Sequence, residues 1–172
     1  MRFDSLRHGS LDLQLDADVI VAGGGPAGLA AAIRAAQHGL EATLFEPRPA
    51  PIDKACGEGL MPAALSVLAK LGVDQLDGHR FHGVRYLDAT DSTVCATGEF
   101  RGGSGLGVRR TVLHEAMSRR ADALQITRVR QRVEDVTIGG SCVEVDGCRA
   151  AYLVAADGLH SDLRRELGLE AE

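Results

Sequence analysis

Three glycines spaced as Gly23-x-Gly25-x-x-Gly28, an apolar run before them over residues 18–22, and an acid, Glu46, closing the next apolar run are the groups in this chain whose types and spacing imply chemistry. That chemistry is anion binding: a diphosphate with its adjoining ribose, the ADP half of a dinucleotide. Gly23 permits a tight turn off a strand, Gly25 lets the backbone approach a pyrophosphate with no Cβ between them, and Gly28 lets the following helix lie close to the strand. Pro26 suits a first helical turn, where its missing N–H costs nothing, and the alanine-rich stretch 27–37 is a strong helix former. The start of that helix offers unbonded amides and about half a positive charge. Glu46 follows Gly28 by 18 residues, a spacing that suits a carboxylate accepting from ribose hydroxyls and repelling a 2′-phosphate.

The elements that must position these groups follow from periodicity and turn residues. Residues 18–22 and 42–46 read as strands flanking the helix, which makes a βαβ unit. Residues 47–60 form a loop rich in Pro and Gly, and 62–71 a helix stopped by Gly72. Segments 81–88 and 92–96 alternate as strands around a turn at 88–91, while 102–107 reads as a flexible glycine stretch. Thr111 is placed to cap a helix over 112–120, whose crossover leads to a third parallel strand over 124–128. Residues 132–138, 142–146 and 149–154 form a three-stranded β-meander, with two-residue turns at Gly139-Gly140 and Asp146-Gly147. The second turn sets Val145 opposite Cys148 and Cys142 opposite Ala151, so Cys142 and Cys148 do not face each other. The apolar run 152–156 reads as a buried strand returning to the sheet, followed by a short helix near 162–167. The expected class is α/β with a parallel central sheet.

Composition narrows the function. At 172 residues and 45% hydrophobic content the chain can bury one real core. A net charge of −5 and only 3% aromatic residues give no surface suited to nucleic acid. The longest uncharged run, 15 residues over 19–33, is too short and too broken by glycine for a transmembrane segment. Residues 1–17 read as an N-terminal arm without the apolar core of a secretory signal. The four cysteines form no CxxC pair, and no histidine cluster accompanies them, so no metal site is expected and a cytoplasmic setting is.

Three separated blocks are similar to one superfamily. DVIVAGGGPAGLAAA with Glu46-Pro47-Arg48, then VRRTVLHEAM, then VAADGLHSDLRREL resemble, in order, the FAD fingerprint, the arginine before the second helix, and the DGxxSxxR motif of flavoprotein monooxygenases of the para-hydroxybenzoate hydroxylase type. Together the blocks span residues 18–167. The loop Lys54-x-Cys56-Gly57-Glu58-Gly59-Leu60 resembles the CGEGL segment of the geranylgeranyl reductase branch, which shades into flavin-dependent halogenases.

The resemblance implies an FAD/NAD(P)-binding Rossmann-like fold, an FAD-binding domain over residues 18–172, FAD as cofactor and NAD(P)H as electron donor. Reduced flavin would then activate oxygen or reduce an alkene of a small organic or isoprenoid substrate. By the same resemblance Gly23, Gly25, Pro26, Ala27, Gly28, Glu46 and Arg48 contact the ADP portion. Arg110 reaches the FAD from the start of its helix, with Arg109 as the competing assignment. Asp157 and Gly158 lie at the flavin side of the pyrophosphate, and Ser161 and Arg164 hold that turn. Cys56 and Glu58 are the catalytic candidates, the first as a reactive thiol or a small filler, the second as an acid or a solvated side chain. The six histidines share no spacing and receive no catalytic role. Members of the superfamily continue into a substrate-binding sheet and a second, GD-bearing strand, so a C-terminal half or a partner chain is expected to complete the flavin site. FAD should then be held more weakly than in a complete relative. Two rival readings are an NAD-dependent dehydrogenase, which leaves the meander and DGxxSxxR without a purpose, and a non-catalytic nucleotide-binding module.

Overall fold

Short apolar runs separated by glycine and proline build a sheet covered by helices. The computed structural model describes residues 14–91 and 93–169. Strand β1 (Ala17–Ala22) enters helix α1 (Pro26–Gln37), which returns to β2 (Ala42–Phe45), parallel to β1 with Val21 beside Leu44. Helix α1 forms because Pro26 opens it, alanine fills it, and Leu29, Ala32 and Ile33 present one apolar stripe to the sheet. It ends at His38, and Gly39 follows at φ 78°.

An excursion follows, comprising β3 (Gly59–Leu60), α2 (Pro62–Leu71), β4 (His79–Phe81), β5 (Gly83–Leu87), β6 (Cys95–Glu99) and β7 (Gly105–Gly107). Helix α3 (Arg110–Ala123) then crosses to β8 (Thr127–Val129), parallel to β2. β9 (Val136–Ile138) and β10 (Val143–Val145) lead into β11 (Cys148–Ala155), and α4 (Asp162–Glu166) follows. The main sheet has the order β8-β2-β1-β11-β10-β9, with β3-β7-β4 and β5-β6 as smaller sheets. One face of the main sheet buries Val19 and Val21 against Leu29 and Ile33 of α1 and Leu113 and Met117 of α3, while the other buries Ile20, Phe45, Val143 and Val145. Full enclosure of Ile20, Leu29 and Ile33 contributes roughly 1.5–3 kcal/mol each.

Several expectations are corrected. The glycine stretch 102–107 is not simply flexible, because its second half is β7, the central strand of a sheet. Glycine is needed there for space: a Cβ on Gly105 would stand 2.4 Å from the Phe81 ring. The run 81–88 is split, with Phe81 ending a strand of one sheet and Gly83 starting a strand of another. The strand expected from residue 92 begins at Cys95, and Ser92 lies outside the described residues, as does most of the expected N-terminal arm. Helix α3 starts at Arg110 rather than after a Thr111 cap, and it runs past Arg120 to Ala123.

The meander is present, and Val145 stands opposite Cys148 as the turn chemistry required, with Asp146 and Gly147 at φ 48° and 81°. The other turn is shifted by one residue, since Gly139 N–H donates to the Cys142 carbonyl at 2.9 Å and leaves Gly140-Ser141 at its tip. The runs 149–154 and 152–156 are one strand, β11, and its later part is not buried. Tyr152 is 59% exposed, because β10 accompanies only Cys148–Ala150 and, among the described residues, no strand borders the outer edge of 151–155.

Candidate functional site

Parallel pairing places the carboxyl ends of β1, β2 and β11 side by side, and the chain departs from β1 toward β2 on one flank while β11 occupies the other. Loops leaving such a switch point diverge and open a crevice. Three backbone bonds carry the sheet just past its strand ends: Gly23 N–H to Phe45 O at 2.8 Å, Ala156 N–H to Ala22 O at 2.7 Å and Glu46 N–H to Val129 O at 3.0 Å. Beyond them lies a cavity of about 380 Å³. Gly23, Gly25, Pro26 and Ala27 line it from the first corner, Glu46 and Arg48 from the second, Arg110 from α3, and Asp157 and Gly158 from the third.

The glycines meet different constraints. A Cβ on Gly28 would fall 1.8 Å from the Gly23 carbonyl oxygen, and one on Gly23, itself at φ 105°, would fall 2.3 Å from Ala156 O. Gly28 therefore lies behind the cavity, holding α1 against the turn. A Cβ on Gly25 would meet only Arg110 Nη2, at 3.8 Å, and would project into the crevice. Gly25 is also the N-cap of α1, with no side chain capping the helix and no acid in its first turn.

Glu46 sits at the mouth of the corner, its side chain 10% exposed. Oε2 accepts from Gly24 N–H at 2.9 Å and Arg48 Nη2 at 3.1 Å, and Oε1 from Arg48 Nε at 2.7 Å and Arg48 N–H at 3.1 Å. Burial pushes this carboxyl's pKa up, but the Arg48 side chain, the backbone donors of Arg48 and Gly24, and the Arg48 charge outweigh it, so the net displacement is downward. The same pair raises the Arg48 pKa.

Between the two adjacent arginines, the structure turns Arg110 inward and leaves Arg109 exposed. Arg110 Nε is buried with no acceptor among the described residues, while the Arg110 side chain lines the cavity and brings Nη2 toward Gly25. In the third corner Gly158 takes φ 104°, Ser161 Oγ accepts from Arg164 N–H at 2.9 Å to start α4, and Arg164 Nη2 donates to Leu159 O at 3.1 Å. Asp162 pairs with Arg132 and Arg165 at the far wall.

The two catalytic candidates do not join this group. Cys56 and Glu58 are exposed and neither lines the cavity. The Glu58 carboxylate instead accepts from Arg110 N–H at 3.1 Å, and the Glu58 carbonyl from Val108 N–H at 2.8 Å, so it caps α3 from across the chain. It does so at φ 51°, an uncommon backbone for glutamate.

Sequence reasoning missed three participants. Gly24 donates to Glu46 and accepts from His114. Lys54 lines the cavity with its Nζ 3.7 Å from where a Gly158 Cβ would stand. His114, 1% exposed, has Nε2 2.8 Å from Gly24 O, while Nδ1 accepts from Ile52 N–H at 3.3 Å. No signal in the sequence could have paired His114 with positions 62 and 90 residues away. Lys54 could have been drawn from the loop motif that already contained it.

Uncapped amides, an unpartnered guanidinium and a glycine whose Cβ would fill the crevice suit a diphosphate, and a nearly buried carboxylate beside them suits its ribose. The residues present thus fit the ADP half of a dinucleotide.

Comparison with known proteins agrees. The family described as an FAD binding domain matches residues 16–172, and the chain belongs to it. A menaquinone reductase of Mycolicibacterium smegmatis is 38% identical over 165 residues, covering 88% of this chain and 40% of the relative. A digeranylgeranylglycerophospholipid reductase of Picrophilus torridus is 30% identical over 175 residues, covering 92% of this chain and 43% of that one. Among solved structures, the flavin-dependent halogenase CmlS superposes with a TM-score of 0.78 at 22% identity, over 88% of this chain and 31% of its own, a likeness of fold. The chain thus spans about 40% of the length of the curated relatives it matches. No helix among the described residues is long and apolar enough to cross a membrane.

Proposed function

We propose that this member of the FAD-binding family holds the ADP half of FAD in the switch-point cavity, as the cofactor-binding part of an NAD(P)H-linked oxidoreductase acting on a small organic or isoprenoid substrate. Bound FAD would supply the redox chemistry, accepting hydride from the nicotinamide and passing reducing equivalents to an alkene or to oxygen. The observation that carries the reading is Arg110, whose guanidinium lines the same cavity as Gly25 and Glu46 and has no acceptor for its buried Nε among the described residues.

The chain's own residues bind and orient. Gly23, Gly25, Pro26 and Ala27 bring backbone to the diphosphate, with Gly28 fixing α1 behind them. Arg110 and Lys54 neutralise its charge. Glu46 receives the ribose, Arg48 borders the adenosine side, and Asp157 and Gly158 border the flavin side. Cys56, on the loop that carries Lys54, is the catalytic candidate for the reacting end, while the Glu58 carboxylate acts through α3. The 38% identity to a menaquinone reductase and the CGEGL loop support reduction over oxygenation. The unpaired thiols suit a reducing cytoplasm.

The test is titration of the purified chain with FAD, ADP and NAD, followed by calorimetry and visible absorption. FAD and ADP should bind, with bound flavin visible by absorption, and NAD, which carries the same ADP half, should bind no more tightly than ADP. Binding of NAD with no affinity for FAD would overturn the reading in favour of a dehydrogenase. Equal affinity for ADP and FAD, with no NAD(P)H oxidation after the C-terminal portion of a relative is supplied, would favour a non-catalytic module.

A further inference from the structure

The Gly24 backbone is held from both sides, its N–H by Glu46 and its carbonyl by His114. A carbonyl only accepts, so His114 Nε2 carries the hydrogen, and because the Ile52 N–H donates to Nδ1, that nitrogen carries none. The imidazole is therefore neutral, with a single tautomer. The peptide joining Gly24 to Gly25 is planar and trans, so drawing the Gly24 oxygen inward turns the Gly25 N–H the opposite way. Gly25 lines the larger cavity, and its N–H has no acceptor among the described residues. The Ile52 amide ties the same ring to the loop that carries Lys54.

We infer that His114 is the positioning residue of the diphosphate corner, a buried imidazole that aims the Gly25 N–H at the bound anion. This rests on the reading of the cavity as an ADP site. Protonation would put a second N–H against Ile52 N–H, two donors facing each other, and would release the loop. Burial above all, with Arg110 and Arg128 nearby, holds the His114 pKa below its ordinary value despite the opposing pull of Gly24 O and Glu46. Charged groups facing the ring or its adjacent smaller cavity are Glu46, Arg48, Arg110, Asp122, Arg128 and Arg130.

The experiment titrates FAD, ADP and adenosine into the 172-residue chain and its His114→Leu and His114→Gln variants, with thermal unfolding alongside. His114→Leu should lose about tenfold to a hundredfold in affinity for FAD and ADP, the worth of one charge-assisted hydrogen bond, and about twofold or less for adenosine. His114→Gln, whose amide can donate to Gly24 O, should recover most of the loss. A folded His114→Leu that binds FAD as the wild type does, or loses adenosine and ADP affinity equally, overturns the inference. Should the leucine variant not fold, the pH dependence decides. As pH falls from 7.5 to well below the ordinary histidine value, wild-type FAD affinity should fall while that of His114→Gln falls less; profiles that match down to the pH at which the wild type unfolds overturn it, since the two proteins share every other charged group. A wild type that binds neither FAD nor ADP defeats the proposed function and this inference together, whereas one that binds both while the variants match it defeats only the role of His114.

Discussion

Arg48 grips both oxygens of Glu46, its Nε 2.7 Å from Oε1 and its Nη2 3.1 Å from Oε2. With the backbone donors of Arg48 and Gly24 added, all four acceptor positions of the carboxylate are occupied. A hydroxyl donating to this carboxylate would have to displace one of these donors, and the guanidinium is the one held outside the backbone. Arg48 is 57% exposed, so that displacement costs little.

Adenosine should therefore bind Arg48→Ala no more weakly than wild type, with a gain of roughly two- to fivefold, the range expected for losing an exposed ion pair that competes with ligand. Glu46→Ala should weaken adenosine about tenfold or more. Isothermal titration distinguishes the two, and a large loss in Arg48→Ala would mean the arginine itself holds adenosine.

Gly25→Ala and Gly28→Ala should separate binding from folding. The first adds a methyl group that meets only Arg110 at 3.8 Å, so melting should be nearly unchanged while FAD and ADP affinity collapse. The second drives a Cβ to 1.8 Å from a carbonyl oxygen, and stability should fall by about 3 kcal/mol, read from denaturant unfolding.

Glu58→Ala tests whether that carboxylate is chemical or structural. As a cap on α3 it should cost about 1 kcal/mol, with melting lowered by a few degrees and FAD affinity reduced only modestly. Unchanged melting with abolished turnover in the completed enzyme would restore it to catalysis.

Acid should act through Glu46. Its pKa is lower folded than unfolded, so its stabilising contribution is whole above the ordinary glutamate value of about 4.3 and is lost as pH falls through the folded value. Melting temperatures of wild type and Glu46→Gln should accordingly converge as pH is lowered from 6 toward 3. A gap that stays constant would show that the carboxylate is not preferentially ionised in the fold.

Local chemistry made much of this molecule readable in advance. The strand, glycine turn and alanine helix of residues 17–37 depend on neighbours close in sequence, as does the Asp146-Gly147 turn that sets Val145 against Cys148. Glu46 was readable because β2 must end where β1 ends. What escaped was decided across the chain. Gly105 looks like part of a flexible stretch until Phe81 lies against it, and Glu58 looks solvated until the start of α3 arrives 52 residues later. His114 has an ordinary helical setting, and only tertiary structure brings it to Gly24 and Ile52.

Glu58 belongs to the strand region that pairs with β7, yet its carboxylate is fastened to the first amide of α3, and Arg110 and His114 sit one turn apart on that same rod. The small β3-β7-β4 sheet is thereby tied to the helix that carries the guanidinium and the imidazole together. One rod therefore anchors an outlying layer at its first amide and lines the switch-point crevice with the side chain of that same residue.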